Sequence, residues 1–134
     1  MKYAFIPGLV FLIACGSPGN QLEDKKQTLD MHYIAWACDC ANWATAKDMA
    51  KYGNTDYLDK YCVYVEPASP KLALPDTIGC SNDEVIFTGQ FYQEKGFPKG
   101  FKSEEPVDKA RVFRYTAYKI IKSNYHEAII SAKE

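Results

Sequence analysis

Four stretches of the chain carry apolar residues at the short period of a β-strand, and they set its fold class. His32 to Cys38 places Ile34, Trp36 and Cys38 at every second position, and Tyr61-Cys62-Val63-Tyr64-Val65 is an aromatic and branched run stopped by Pro67 and Pro70. Glu84 to Tyr92 is the clearest strand, with Val85, Phe87 and Phe91 on one face, and Gly89 inside it points to a bulge or a sharp coil. Ala110 to Ile121 is the longest. Strict alternation along it puts Arg114, Thr116 and Tyr118 on one face and Phe113 and Tyr115 on the other. Between the first two strands the period changes: Trp43, Ala46, Met49 and Ala50 recur at helical spacing, with Asn42 as a candidate cap and Gly53 as a stop. Asn124 and Glu127 stand at cap spacing for a second short helix ending near Ile130. Residues 69–83 and 94–102 are rich in Pro, Gly and Asn or Lys and read as irregular connections. The pattern predicts a mainly β, α+β domain, a small antiparallel sheet or an OB-like barrel with one or two short helices.

Ahead of this domain the pattern is different. Lys2 is followed by an apolar run from Tyr3 to Ile13, interrupted by Pro7 and Gly8. The run is too short to span a bilayer, which takes roughly 20 apolar residues. It has the positive start, apolar core and small residue before the cut of a secretory signal, and it ends in Leu12-Ile13-Ala14-Cys15. That tetrapeptide resembles the lipobox of bacterial lipoproteins. The resemblance covers the leader only. It implies that residues 1–14 are removed and that Cys15, as the new first residue, carries lipid and anchors the protein to a membrane of the cell envelope. Gly16, rather than an aspartate, follows the cysteine, which under enterobacterial-type sorting favours the outer membrane or cell surface over the inner membrane. Residues 15–27, rich in Gly, Ser, Pro, Asn and Gln, read as a flexible tether, and residues 28–134 as a single globular domain.

The charge balance, 16 basic against 17 acidic residues, provides no field for a polyanion. Nucleic acid is therefore not an expected partner. With Cys15 assigned to lipid, Cys38, Cys40, Cys62 and Cys80 remain. An even number in an exported chain predicts disulfide staples, with three connectivities open. If residues 32–40 are extended, Cys38 and Cys40 lie about 6.6 Å apart on one face, so each is expected to reach across to Cys62 or Cys80. A bridge closing a loop of that length contributes roughly 3–4 kcal/mol.

Little else resembles a reaction centre. Cys38-Asp39-Cys40 is the single chemical motif, and a thiol- or metal-handling role for Cys38 and Cys40, with His32 or another cysteine as a further ligand, is the alternative to structural bridging. The histidines are His32 and His126, and no hydrolase elbow, phosphate loop or zinc-binding helix is present. No catalytic residue, metal site or cofactor is assigned. Paired carboxylates could come from Asp39, Asp48, Asp56, Asp59, Glu66, Asp83 or Glu84, but a linear sequence does not show which of them meet. The aromatic residues in and beside the strands leave one more option, an exposed platform around Tyr92, Arg114, Tyr115 and Tyr118. The expected function is a lipid-anchored binding or scaffold domain for an envelope protein or a glycan.

Overall fold

A computed structural model describes residues 21–125. Cys15, the leader and most of the second predicted helix lie outside them. The elements in chain order are β1 (Gln27–Tyr33), β2 (Trp43–Thr45), α1 (Ala46–Tyr52), β3 (Tyr64–Pro67), β4 (Glu84–Phe91) and β5 (Val112–Lys122), with 3-10 turns at Leu58–Tyr61 and Pro70–Leu72. The strands form one sheet in the order β2-β1-β4-β5-β3. The domain is mainly β, as the strand pattern predicts, but the sheet is mixed: β3 runs parallel to β5, and the other pairings are antiparallel. It curls into a half-barrel. The edge strands approach through one bridge, with Trp43 N–H donating to the Val63 carbonyl at 3.2 Å and Val63 N–H to the Trp43 carbonyl at 2.7 Å.

The concave side holds the main core, Met31, Trp43, Val63, Val85, Phe87, Phe91, Phe113 and Tyr115. Rings meet edge-on there, Trp43 to Phe87 at 5.1 Å and Phe91 to Phe113 at 4.9 Å, the arrangement that the quadrupole of an aromatic ring favours. Leu72, Leu74 and Ile78 from the long β3–β4 connection pack onto this cluster. The convex side has a second cluster of Ala41, Ala44, Leu58, Cys62, Tyr64 and Val112, onto which Met49, Tyr52 and Phe101 fold. Among the described residues, no helix is long and apolar enough to cross a membrane.

Four local expectations are corrected. The first strand lies at residues 27–33, and after Tyr33 the chain turns away, Ile34 N–H donating to the Asn42 carbonyl. Trp43 is used in β2, so the helix begins three residues later than the apolar spacing suggests. Its cap is Thr45, whose hydroxyl accepts from Asp48 N–H at 3.1 Å, rather than Asn42. Residues 21–23, assigned to the tether by composition, are bound to the fold: Leu22 bridges Tyr92, and Glu23 N–H donates to the Phe91 carbonyl at 2.8 Å. The fourth concerns β5. Gly89 pairs with Tyr115 while Thr88 pairs with Ala117, so Thr116 is an extra residue, a bulge. Beyond a bulge the alternation of faces inverts, which is why Tyr118 packs on the same core as Tyr115. The bulge arises where β4 carries Gly89, whose backbone lies against β5.

Candidate functional site

One end of the half-barrel is where β1, β3 and β5 begin and β2 and β4 finish, as their registers require. The ends of five strands leave their inward side chains without a further layer to cover them, and a cleft of about 1240 Å³ opens there. Barrel mouths are favoured places for ligands because the strands hold the walls rigidly. Leu29, Val63 and Phe91 form its apolar floor. On one side stand Trp36, the Cys38–Cys40 segment and Tyr61, and on the other Glu23 and Arg111. The Arg111 guanidinium lies 3.6 Å from the centroid of the Phe91 ring and 3.5 Å from Glu23 Oε1, so a cation–π contact and an ion pair fix it in place.

Two aromatic side chains are offered to solvent at this cleft. Trp36 is 36% and Tyr61 40% exposed. Trp36 is oriented by its indole N–H, which donates to the Ala41 carbonyl at 3.1 Å, and the Tyr61 ring is stacked on Tyr52 with centroids 3.9 Å apart. Both rings are therefore pre-positioned. Around them the lining carries six basic and five acidic side chains, so the cleft has no dominant sign.

Cys38 and Cys40 are bonded to each other, with Cα atoms 5.2 Å apart, while Cys62 and Cys80 are free. The expected cross-links to Cys62 or Cys80 are thus corrected. Residues 37–40 bend instead of extending, which turns the two side chains together. With both sulfurs in one bond, the pair supplies no thiolates to a metal. Its loop is so short that chain-entropy stabilisation is only ~1–2 kcal/mol. Cys62 lies in the cleft wall, its thiol donating to the Leu58 carbonyl at 3.4 Å. Burial pushes that thiol up to about 11, against weaker help to the thiolate from Trp36. At neutral pH the thiol form therefore dominates, which keeps Cys62 a weak nucleophile toward the neighbouring bridge. Without reductant, iodoacetamide at pH 8 is expected to label Cys80 readily and Cys62 slowly, read by peptide mass. The stability contributed by the neutral buried thiol is full below the ordinary thiol pKa and is lost as pH rises through 11. Cys62 labelling is therefore expected to keep accelerating as the pH is raised from 9 to 11.

The proposed platform residues are separated. Tyr115 is 1% exposed and its hydroxyl donates to the Leu72 carbonyl at 2.8 Å, with burial pushing the phenol up to about 12. Tyr118 packs edge-on against it at 5.9 Å. Tyr92 and Arg114 are on the convex side, where the Tyr92 hydroxyl donates to the Glu66 carboxylate and an Arg114 N–H donates to the Ala68 carbonyl at 3.3 Å. Burial and the Glu66 hydrogen bond raise the Tyr92 phenol to about 12. Glu66 is itself buried, accepting also from Lys99 N–H at 2.6 Å, and so anchors the β4–β5 loop. Leu29, Arg111 and Tyr61 line the cleft without a signal in the sequence that marks them for it. Leu29 was concealed by the shifted first strand, and only the fold brings Arg111 to Phe91. No known protein family matches the chain, and no curated protein or solved structure is detectably similar to it.

Proposed function

We propose that the chain is a lipid-anchored binding domain of a bacterial-type cell envelope, held through Cys15 at the outer membrane or cell surface, and that it takes a neutral glycan in the cleft at the barrel end. One observation carries the ligand class: two fixed, solvent-facing aromatic rings stand over an apolar floor within a rim of balanced charge. Sugar rings present apolar C–H faces and polar edges, so they match an aromatic surface bordered by carboxylates and ammonium groups. A polyanion gains nothing from a rim whose charges nearly cancel. The anchor rests on Leu12-Ile13-Ala14-Cys15, and two or more lipid chains would hold the protein on the membrane permanently on cellular timescales.

The binding half is tested by titrating the mature protein with a β-1,4-linked N-acetylglucosamine tetrasaccharide while following tryptophan fluorescence. Trp43 is 3% exposed, so Trp36 provides the ligand-sensitive signal. Trp36→Ala, read by calorimetry, is expected to weaken binding at least tenfold, ~1.4 kcal/mol, and Tyr61→Ala to act in the same direction. Equal affinity in wild type and both variants would remove the cleft from the reading. For the anchor, Cys15→Ser is expected to abolish labelling by a fatty-acid analogue and leave unprocessed precursor. Undiminished label would contradict it.

A second reading, a thiol-handling envelope protein, is favoured by the position of the Cys38–Cys40 bridge on the cleft rim. There a partner's thiolate would attack one sulfur, form a mixed disulfide and release the other as thiolate. Under this second reading a small thiol is expected to form a mixed disulfide at Cys38 or Cys40, trapped and read by peptide mass, and none of it at those positions in Cys38→Ser/Cys40→Ser.

A further inference from the structure

On the face of the sheet turned away from the main core, and among residues that do not line the cleft, the register of β1 and β4 assembles a different group. Asp30 and His32 are two residues apart in β1 and so share a face, and His32 is paired directly with Glu84 of β4. Met31 between them points into the core, which turns Asp30 and His32 to the convex side. One potential ligand atom from each of Asp30, His32 and Glu84 lies within 4.8 Å of the other two, and all three residues are half-buried.

One atom of this group is left unsatisfied by its protein neighbours. Asp30 Oδ1 is shut off from solvent and has no hydrogen-bond partner among the described residues. Leaving a buried carboxylate oxygen unpaired costs more than leaving a neutral group unpaired. No ion pair joins His32 to either carboxylate, and Lys122, the partner of Glu84 on β5, makes none with it either. Two carboxylates are thus held beside one imidazole, close enough to converge yet without bonds to one another.

We infer that Asp30, His32 and Glu84 form a binding site for a divalent first-row cation of the zinc class. An imidazole nitrogen with two carboxylate oxygens is a donor set such ions accept, whereas magnesium and calcium prefer oxygen alone. Bonds of about 2.0–2.2 Å draw ligand atoms to within about 3–4 Å of each other, so small side-chain rotations suffice. The ion supplies the missing partner of Asp30 Oδ1 and neutralises the like charges of Asp30 and Glu84. Three protein ligands leave a coordination position open to water. The site is separate from the cleft and its presence does not depend on the glycan reading.

The test is calorimetric titration of the mature, chelator-treated protein with zinc, and in parallel with magnesium and calcium. One equivalent of zinc is expected to bind, with little response to the other two. His32→Ala, Asp30→Asn and Glu84→Gln are each expected to weaken zinc at least about 100-fold, the upper range for losing even a supporting group of a metal site. Near-UV circular dichroism distinguishes lost ligation from lost folding, and three independent substitutions guard against any one that unfolds. Cobalt titrated in place of zinc should show no thiolate charge-transfer band, which separates this site from the free thiols of Cys62 and Cys80. Absence of zinc binding, binding unchanged in all three variants, or a thiolate band would each overturn the assignment.

Discussion

Gly89→Ala is expected to destabilise the domain by about 3 kcal/mol or more, a fall in melting temperature of more than about 10 °C for a domain of this size. The reason is where two strands touch. A Cβ built on Gly89 would stand 2.0 Å from the Arg114 carbonyl oxygen and 2.7 Å from Tyr115 Cα. These are backbone atoms of β5, so no side-chain rotation relieves the overlap. The strand must move, and β5 is bonded on its other side to β3. Thermal unfolding followed by circular dichroism measures the effect. Gly96→Ala is the control, since a Cβ there meets nothing within 4 Å, and it is expected to change stability by no more than about 0.5 kcal/mol.

The second large effect is expected at Asp83, which has no exposed surface at all. Its Oδ2 accepts from the N–H groups of Gly79 and Cys80, both at 2.9 Å, and its Oδ1 accepts from Asn124 N–H at 2.7 Å. One carboxylate therefore ties the β3–β4 loop to the chain leaving β5. Asp83→Ala strands three backbone donors and is expected to lose about 3–5 kcal/mol, since hydrogen bonds to a charged group carry ~1.5–3 kcal/mol each and do not add fully. Asp83→Asn can keep an oxygen toward one side only and presents N–H to N–H on the other, so it should fall between alanine and wild type. Urea unfolding of the three proteins orders them. If alanine and asparagine match wild type, the loop is held by something else.

The strand pattern is legible where burial is regular. In β4, Val85, Phe87 and Phe91 are buried as their alternation implies, and Gly89 lies where the ladder shifts register. The reading fails where one residue type has two uses. Trp36 continues the alternation of a strand but is an exposed ring held at the cleft, so hydrophobic periodicity drew β1 several residues too far along the chain. Thr116 carries no mark of a bulge, yet it reverses the faces of Ala117 to Ile120 in β5, until a second shift at Ile121, and with them the expected aromatic platform. Cysteine pairing depends on a bend at residues 37–40 that spacing alone does not encode. Asp30, His32 and Glu84 are more than 50 positions apart at their extremes, and only strand register brings them together.

The seam between Leu22 and Tyr92 would give a lipid-anchored molecule a preferred way to stand. With Cys15 acylated as proposed, five residues separate it from Gln21, whose carbonyl accepts from Gln93 N–H at 2.8 Å. Fully drawn out, they reach only about 20 Å. Glu23, two residues further, already belongs to the cleft wall, so the short leash would hold that wall of the cleft near the bilayer. A ligand would then enter sideways, through the thin layer next to the membrane, and an inserted stretch between residues 16 and 20 would lift the cleft beyond that layer without altering any contact inside it.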